Sequence, residues 1–381
     1  MKKCIIISDS FKGTLSSREI CDIVETSLKD YFPACELVKV PVADGGEGTV
    51  TCFYEACGGT LVDVVVQGPF GEPVHAEYLR LPGGEAVVET ASAAGLPQVK
   101  GRENPCETST YGVGQQIRHA VEHGAKKILL GLGGSCTNDG GCGCAAALGV
   151  RFFDREGKAF IPVGGTLDRI ETIDLSEAKE LLRDTQMSVM CDIENPLHGL
   201  NGAAHVYAPQ KGADEQMVAF LDEQLKALDA VIQRELGLQV ADVPGAGAAG
   251  GFGAGMLAFL GAELKPGIET VLDTVKFDEL LTDCDVVFTG EGRLDSQSIQ
   301  GKTIHGVGRR ASRCRVPVIA VVGGVDPEVE GICDNPDIGI AAAFSINRQA
   351  LPFSVSQYQS RENYEYTIRN ILRLMCLSEK F

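Results

Sequence analysis

Short apolar segments alternate with helical segments near both ends of this chain, and that alternation limits the possible folds more than any other feature. Near the N-terminus, strand-like segments at residues 3–8, 37–42 and 61–66 are separated by helical segments at residues 16–28 and 47–56, with Ser16 or Ser17 as N-cap. This order predicts a doubly wound parallel sheet. The C-terminal end repeats the pattern, with strands predicted at residues 286–288, 316–322 and 338–344 and a helix at residues 357–376.

The middle of the chain has a different pattern. Residues 74–81 and 85–90 are predicted strands joined by a hairpin-like connection through Pro82-Gly-Gly. Further strands are predicted at residues 127–131 and 188–191, and helices at residues 111–123 and 214–236. The simplest organisation is one discontinuous α/β domain of residues 1–67 and 285–381, with a second domain inserted over residues 68–284.

Composition argues against several classes of partner. The chain has 381 residues and a net charge of -18, whereas nucleic acids and anionic membrane surfaces bind basic proteins. No apolar run approaches the roughly 18 residues of a membrane span. The first residues, Met1-Lys-Lys-Cys-Ile-Ile-Ile, lack the apolar core of about 7–15 residues that a signal peptide needs. Fourteen cysteines without a C-x-x-C pair indicate reduced thiols, and we expect a cytosolic protein.

One stretch looks like a nucleotide-binding P-loop. Residues 289–303 end in Gly301-Lys-Thr and lie between a predicted strand and a predicted helix. The P-loop pattern also needs a glycine five residues before Gly301, where this chain has Ser296. The strict motif therefore fails, although a glycine-rich loop with charged residues remains.

Carboxylates or small hydroxylated residues follow five of the predicted strands. In open α/β sheets, ligands bind beyond the carboxyl ends of the strands. A turn or a helix cap is the commoner explanation for any one such loop, but five together favour a shared site. The five loops are residues 8–14, 41–49, 132–141, 192–196 and 289–303.

The residue types in these loops suit phosphoryl transfer. That reaction needs positive groups and N–H donors around the phosphate, carboxylates for Mg²⁺, and an acceptor for the hydroxyl proton. Residues 133–139, which precede a predicted helix, offer backbone N–H groups. Lys12 and Lys302 can neutralise phosphate oxygens, and Arg293 can bind a carboxylate or phosphate through two bonds. The candidates for Mg²⁺ ligand or base are Asp44, Glu47, Asp192 and Glu291.

A second motif points to a different cofactor. Gly245-Ala-Gly-Ala-Ala-Gly250 matches the G-x-G-x-x-G fingerprint of NAD-binding folds. The preceding residues 239–244 end in a proline and make a poor strand, so we predict a glycine-rich helix in close packing instead. None of the six histidines lies in a metal-ligand pair.

The loops resemble those of the type 1 glycerate kinase family over nearly the whole chain. The departures are small, since Cys136 stands where alanine is usual and Ser298 where threonine is usual. The resemblance rests on residues 9–16, 43–49, 133–141, 191–197, 202–213, 244–251 and 289–297, followed by Gly301 and Lys302.

The resemblance implies transfer of the ATP γ-phosphate to D-glycerate with Mg²⁺, and a 2-phosphoglycerate product in bacterial members. It also implies a flavodoxin-like domain, a second α/β domain and a site in the cleft between them. We expect Asp192 to be the base, with Lys12 and Arg293 also catalytic. The expected phosphate ligands are Gly133, Gly134, Ser135, Thr137, Asn138 and Lys302; the substrate ligands are Asp9, Ser10, Lys211 and Arg293; and the Mg²⁺ ligands are Asp44, Glu47 and Glu291.

Three alternatives stay open at this point. The substrate can be a related hydroxy acid, such as tartronate or a longer sugar acid. The protein can be an oxidoreductase that binds NAD(P) at residues 245–250, or a non-catalytic sensor of sugar acids. The sequence also leaves open whether the 2- or the 3-hydroxyl of glycerate is the acceptor.

Overall fold

The computed structural model describes residues 1–43, 45–296, 298, 301–329 and 331–378. The strands are β1 (Lys3–Ser8), β2 (Glu36–Pro41), β3 (Thr60–Gln67), β4 (Pro73–Arg80), β5 (Glu85–Glu89), β6 (Lys127–Gly131), β7 (Arg151–Phe153), β8 (Ala159–Phe160), β9 (Thr172–Asp174), β10 (Gln186–Met190), β11 (Glu263–Lys265), β12 (Val286–Gly290), β13 (Val318–Val322) and β14 (Ala342–Ser345).

The helices vary from four to 22 residues in length. In chain order they are α1 (Ser17–Tyr31), α2 (Thr49–Cys57), α3 (Thr90–Ala94), α4 (Tyr111–Glu122), α5 (Cys142–Ala147), α6 (Ser176–Leu181), α7 (Ala203–Tyr207), α8 (Glu215–Leu236), α9 (Ala248–Leu260), α10 (Gly267–Thr274), α11 (Phe277–Leu280), α12 (Thr303–Arg313), α13 (Phe353–Ser356) and α14 (Ser360–Ser378).

The chain divides into two compact units. The first unit contains Met1–Ala43, Glu55–Cys57 and Ile268–Phe381, and the second unit contains Asp44–Tyr54 and Gly58–Gly267. The predicted boundaries near residues 67 and 284 differ from these, because residues 44–54 and 58–67 belong to the second unit and residues 268–284 belong to the first. Both units are α/β structures, as the sequence predicts.

The first unit contains a parallel five-stranded sheet in the order β14-β13-β12-β1-β2. Numbered within the unit, this is the order 2-1-3-4-5 of flavodoxin-like folds. Strand β1 is almost entirely buried because α1 and α14 pack beside it, and the three elements share one apolar core. Helix α1 begins with a capping box, in which the Ser16 side chain accepts the Glu19 N–H and Glu19 bonds back to Ser16.

The second unit contains a six-stranded mixed sheet in the order β11-β10-β6-β5-β4-β3 and a small antiparallel sheet, β8-β7-β9. Strands β5, β6, β10 and β11 are parallel, so their carboxyl ends lie on one edge of the larger sheet. Long helix α8 begins at N-cap Asp214, whose carboxylate accepts the Met217 N–H, and ends at left-handed Gly237.

The prediction that residues 61–66 form a third parallel strand of the first sheet is wrong. Strand β3 is instead the edge of the second unit's sheet and pairs antiparallel with β4 from Thr60–Arg80 to Gln67–Pro73. A tight connection closed by Gly68 N–H to Glu72 O, at 2.6 Å, brings the two strands together. Such a short loop loses less entropy on closing than a crossover to a distant strand.

Candidate active site

A cavity of about 200 Å³ lies in the second unit beyond the carboxyl ends of β6 and β10. These two strands are parallel neighbours, with Met190 opposite Gly131. The loops that follow them therefore lie side by side, as the strand-end argument predicts. The lining residues are Leu96, Leu132, Gly133, Gly134, Ser135, Met190, Cys191, Asp192, Ile193, Tyr207, Gln210, Lys211, Ala248 and Ala249.

Lys211 supplies a buried positive charge to this cavity. Its side chain is only 2% exposed, and its Nζ donates to Ser135 Oγ at 3.1 Å and to Thr137 O at 2.6 Å. Burial lowers the pKa of Lys211 from 10.5 to about 8, against the opposing effects of Cys136 and Asp139. An ammonium group has three donors, so one remains for an anion in the cavity.

Asp192 follows β10 directly and brings a carboxylate to the same cavity. Its Oδ1 accepts the N–H of Gly267, the first residue of α10, at 2.7 Å. The residue thus does serve as a helix cap, which is the commoner role of an acid after a strand. A carboxylate can accept several hydrogen bonds, so an acid in this position can also accept one from a substrate hydroxyl.

The loop of residues 132–141 is fixed by a buried carboxylate, Asp139. The carboxylate accepts four bonds: from the N–H and hydroxyl of Thr110, both at 2.8 Å, from Gly141 N–H at 3.1 Å, and from Gly143 N–H at 3.2 Å. Burial raises the pKa of Asp139, and these bonds oppose that shift. Asp139 therefore joins the starts of α4 and α5 and is fully committed to structure.

Thr137 and Asn138 lie in the same loop but do not line the cavity. Both side chains are completely buried. Thr137 Oγ1 and both polar atoms of the Asn138 amide have no hydrogen-bond partner within the described parts of the chain. Their predicted contact with phosphate stays a prediction, while Gly133, Gly134 and Ser135 do line the cavity.

The glycine-rich loop of residues 45–48 contacts the cavity loop through its backbone. Gly133 N–H donates to Gly45 O at 2.9 Å. A Cβ atom at Gly131 would clash with that same carbonyl oxygen, and one at Gly133 would clash with Gly46 Cα, so both positions need glycine. The predicted ligand Glu47 is an exposed residue of this loop, and Asp44 lies outside the described residues.

The predicted dinucleotide fingerprint at residues 245–250 has a packing role. The described residues between α8 and α9 contain no strand, so the strand that an NAD-binding turn needs is missing. Ala249, Gly250 and Gly251 all have positive φ, and a Cβ atom at Gly250 would clash with Thr137 O. The glycines thus let the start of α9 approach the loop of residues 137–140 closely.

A second group of predicted residues lies in the first unit, beyond the carboxyl ends of β1 and β12. The strand order reverses between these neighbours, which is where ligands bind in flavodoxin-like sheets. Asp9 N–H donates to Gly290 O at 2.9 Å, and Ser10 N–H donates to Asp9 Oδ1 at 2.6 Å. Asp9 and Glu291 therefore follow adjacent strands.

Glu291 is a buried carboxyl group, 6% exposed, and its Oε1 has no partner among the described residues. The pKa of Glu291 is raised to about 7, chiefly by burial and to a smaller extent by the charges of Asp9 and Asp295. A hydrogen bond from Ser298 and the charge of Lys302 act in the opposite direction. A buried acceptor without a partner marks a position where a ligand can bind.

The predicted cations of the first unit are nearer to solvent. Arg293 is exposed, and its Nε donates to Asp326 Oδ1 at 2.8 Å, which orients the guanidinium. Its two Nη atoms have no partner among the described residues, so the predicted bond to an anion stays open. Lys302 is the N-cap residue of α12, and Lys12 lies exposed in the turn after β1.

Sequence reasoning missed Glu89, at the carboxyl end of β5. Its Oε2 accepts the Val50 N–H at 3.1 Å, and it lies opposite Gly131 in the sheet. Applying the strand-end rule to β5 would have identified it. Asp326, the partner of Arg293, lies four residues after the end of β13, so the same rule applied to that strand would have pointed to its loop.

Two searches of the described residues gave negative results. No group of three or more His, Cys, Asp or Glu side chains there could hold a metal ion. No helix in that part of the chain combines the length and hydrophobicity that crossing a bilayer requires.

Comparison with known proteins gives consistent matches over the whole chain. Residues 4–376 match the model of the glycerate kinase family. A glycerate kinase of Bacillus cereus is 42% identical over 97% of both chains, and a glycerate 2-kinase of Escherichia coli is 43% identical over 90% of both. The crystal structure of a protein assigned as glycerate kinase 2 from Salmonella typhimurium LT2 covers both chains completely, with 38% identity and a TM-score of 0.85.

Proposed function

Because this chain belongs to the glycerate kinase family, we propose that it transfers the γ-phosphoryl group of ATP to D-glycerate and forms 2-phospho-D-glycerate and ADP. The relatives named glycerate kinase and glycerate 2-kinase support this substrate and the 2-hydroxyl as acceptor. The family match also supports the catalytic class, that of a kinase.

One observation carries the proposal beyond the family match. Asp192 and the buried Lys211 both line the cavity of the second unit. A small hydroxy acid needs both, because its carboxylate needs a cation and its hydroxyl needs a proton acceptor. The cavity of about 200 Å³ suits a three-carbon acid better than a nucleotide.

In the proposed mechanism, the glycerate carboxylate accepts a hydrogen bond from Lys211 Nζ beside the Ser135 hydroxyl. Asp192 accepts the proton of the attacking hydroxyl, with its orientation fixed by the Gly267 N–H. The strand end and the helix start place this carboxylate on rigid elements, which supports a role as base.

We assign the phosphates of ATP to Lys12, Lys302 and the backbone of residues 133–135, and Arg293 stays a predicted ligand of the glycerate carboxylate. Mg²⁺, when bound, neutralises charge on the phosphates. Glu291 fits a role as its ligand, because its buried Oε1 has no partner within the described residues. Mg²⁺ commonly uses only one or two protein carboxylates together with phosphate oxygens. The expectation that both sets of residues share one site stays a prediction.

The direct test measures ADP release when D-glycerate is added to the protein with MgATP. Phosphorus NMR of the product distinguishes a 2-phosphate from a 3-phosphate. Tartronate and longer sugar acids serve as competing substrates, and NADH absorbance tests the oxidoreductase alternative. Absence of ADP release with every acid would contradict the proposal and favour the sensor.

The base assignment needs a separate experiment. Asp192→Asn is expected to lower kcat by about 10²–10⁴-fold, since a general base contributes that much, while glycerate binding persists. Glu194→Gln is the matched control, because Glu194 is an exposed acid two residues further along. Near-normal turnover in Asp192→Asn would remove the residue from the mechanism.

A further inference from the structure

Helix α2 begins without a cap of its own. Its N-cap residue is Gly48, in the left-handed conformation with φ 90°, and it has no side chain to accept an N–H. The first N–H groups of a helix must nevertheless find acceptors. Glu89 supplies one acceptor from the end of β5, because its Oε2 accepts the Val50 N–H at 3.1 Å, while the Thr49 N–H donates to Gly46 O at 3.3 Å.

The turn that Glu89 holds is the loop of residues 45–48, which contacts the cavity loop. Gly45 O accepts the Gly133 N–H, and Gly45 lies close enough to Met190 that a Cβ atom there would be 3.1 Å from Met190 Cβ. Glu89 is itself opposite Gly131 in the β5–β6 pair. One carboxylate therefore connects the start of α2 to the strand ends that form the cavity.

We propose that Glu89 is a positioning residue for phosphoryl transfer, holding the loop of residues 45–48 against residues 131–133 through its bond to the Val50 N–H at the start of α2. This inference rests on the proposed function. In this proposal Glu89 acts through the loop, because its carboxylate is bonded to the start of α2.

The charge of Glu89 strengthens this hold. A carboxylate at a helix N-terminus is favoured by the helix dipole and by charge-assisted hydrogen bonds. Burial raises the pKa of Glu89 and the charge of Glu47 adds to that effect, while the nearby backbone N–H groups, chiefly that of Val50, oppose it. Neutralising Glu89 is therefore expected to loosen the loop even where the side-chain volume is kept.

The first experiment measures hydrogen exchange in peptides covering residues 45–54, in the full-length protein without nucleotide. Glu89→Ala removes both the acceptor and the charge, and Glu89→Gln keeps one oxygen and the volume. We expect exchange at residues 48–50 to accelerate by about tenfold or more in Glu89→Ala and by less in Glu89→Gln. Glu85→Gln, at the opposite end of the same strand, is the matched control and should exchange like the wild type.

The second experiment measures kcat and KM for D-glycerate and ATP in the same variants. A lost positioning contact of this kind typically lowers activity by about 10–100-fold. We expect the loss to fall mainly on kcat, with Glu89→Gln more active than Glu89→Ala and Glu85→Gln unchanged. If Glu89→Ala does not fold, Glu89→Gln carries both measurements.

Two results would overturn the inference: unchanged exchange at residues 48–50, or accelerated exchange with wild-type kcat. Failure of the proposed function gives a different result, since wild-type protein would then release no ADP with any acid. The exchange difference would persist in that case, so the two failures can be told apart.

Discussion

Two glycine-rich loops, each following a buried strand, hold their carboxylates in opposite ways. In the loop after β6, Asp139 receives four hydrogen bonds and joins the starts of two helices. In the loop after β12, Glu291 is also buried, but its Oε1 has no partner in the described structure. The comparison teaches that burial alone does not identify a functional acid. A buried carboxylate whose bonds are satisfied maintains the fold, whereas one with an unmet acceptor retains a position for a ligand.

The largest effect should come from removing the satisfied carboxylate. Asp139→Ala leaves the Thr110 and Gly143 N–H groups buried without an acceptor, and we expect about 3–5 kcal/mol lower free energy of unfolding. Denaturant unfolding of the purified variant measures this. Asp154→Ala is the control, because Asp154 also accepts two backbone N–H groups, but in a surface turn. Equal losses of unfolding free energy in Asp139→Ala and Asp154→Ala would show that the burial of Asp139 adds nothing to its structural role.

Changing the unsatisfied carboxylate should separate activity from stability. If Glu291 holds Mg²⁺ as proposed, Glu291→Gln is expected to lower kcat/KM for ATP on the order of 10²-fold, since a bound metal ion supplies several kcal/mol of transition-state stabilisation. Stability at pH 8 should not fall, because the neutral amide avoids the free-energy cost of burying a charged carboxylate. That same cost raises the pKa of Glu291 to about 7. Thermal unfolding and steady-state kinetics test both points. If Glu291→Gln loses stability while its activity persists, Glu291 has a structural role like that of Asp139.

The buried cation of the cavity predicts a pH dependence. The pKa of Lys211 is about 8 in the folded protein, compared with 10.5 for an exposed lysine. Between these values the unfolded chain binds more protons, so the contribution of Lys211 makes stability rise with pH, and Lys211→Met should remove that rise. Above about pH 8 the neutral amine binds an anion less well, and KM for glycerate should increase by up to about tenfold per pH unit.

Kinetics from pH 6.5 to 10 measure this effect. Lys179→Met is the control, because Lys179 is exposed on α6 and its loss should leave both pH profiles unchanged. A pH-independent KM in the wild type would show that Lys211 does not bind the substrate anion.

The smallest effect should come from Ser298→Thr. The Ser298 hydroxyl accepts the Asp295 N–H and lies within hydrogen-bond distance of Arg293 O, at 3.2 Å, and of Asp295 Oδ1, at 3.1 Å, and a threonine hydroxyl can take the same position. Because Ser298 is completely buried, the added methyl group must fit beside this turn, and we expect activity within about twofold of wild type. A larger loss would show that the Glu291 loop tolerates as little change as the Asp139 loop.

The local elements and the loops of the candidate site were predictable from the sequence. The strand at residues 127–131 was predicted at its observed bounds, and α4 and α8 differ from prediction by one residue at one end. Their apolar periodicity and capping residues are local signals. The loops after β6 and β10 do lie together in the second unit, because parallel neighbours carry their following loops to the same edge.

By itself, then, the sequence determined the α/β class, the positions of the strand-end loops and the family, since these depend on short-range patterns and ordered motifs. Only the tertiary structure decided that β3 pairs with β4, that Asp139 is satisfied while Glu291 is not, and that Glu89 caps a helix 39 residues before it. The physical reason is that hydrogen-bond satisfaction and burial depend on partners distant in the chain. No local pattern records whether a carboxylate will find donors once the chain is folded.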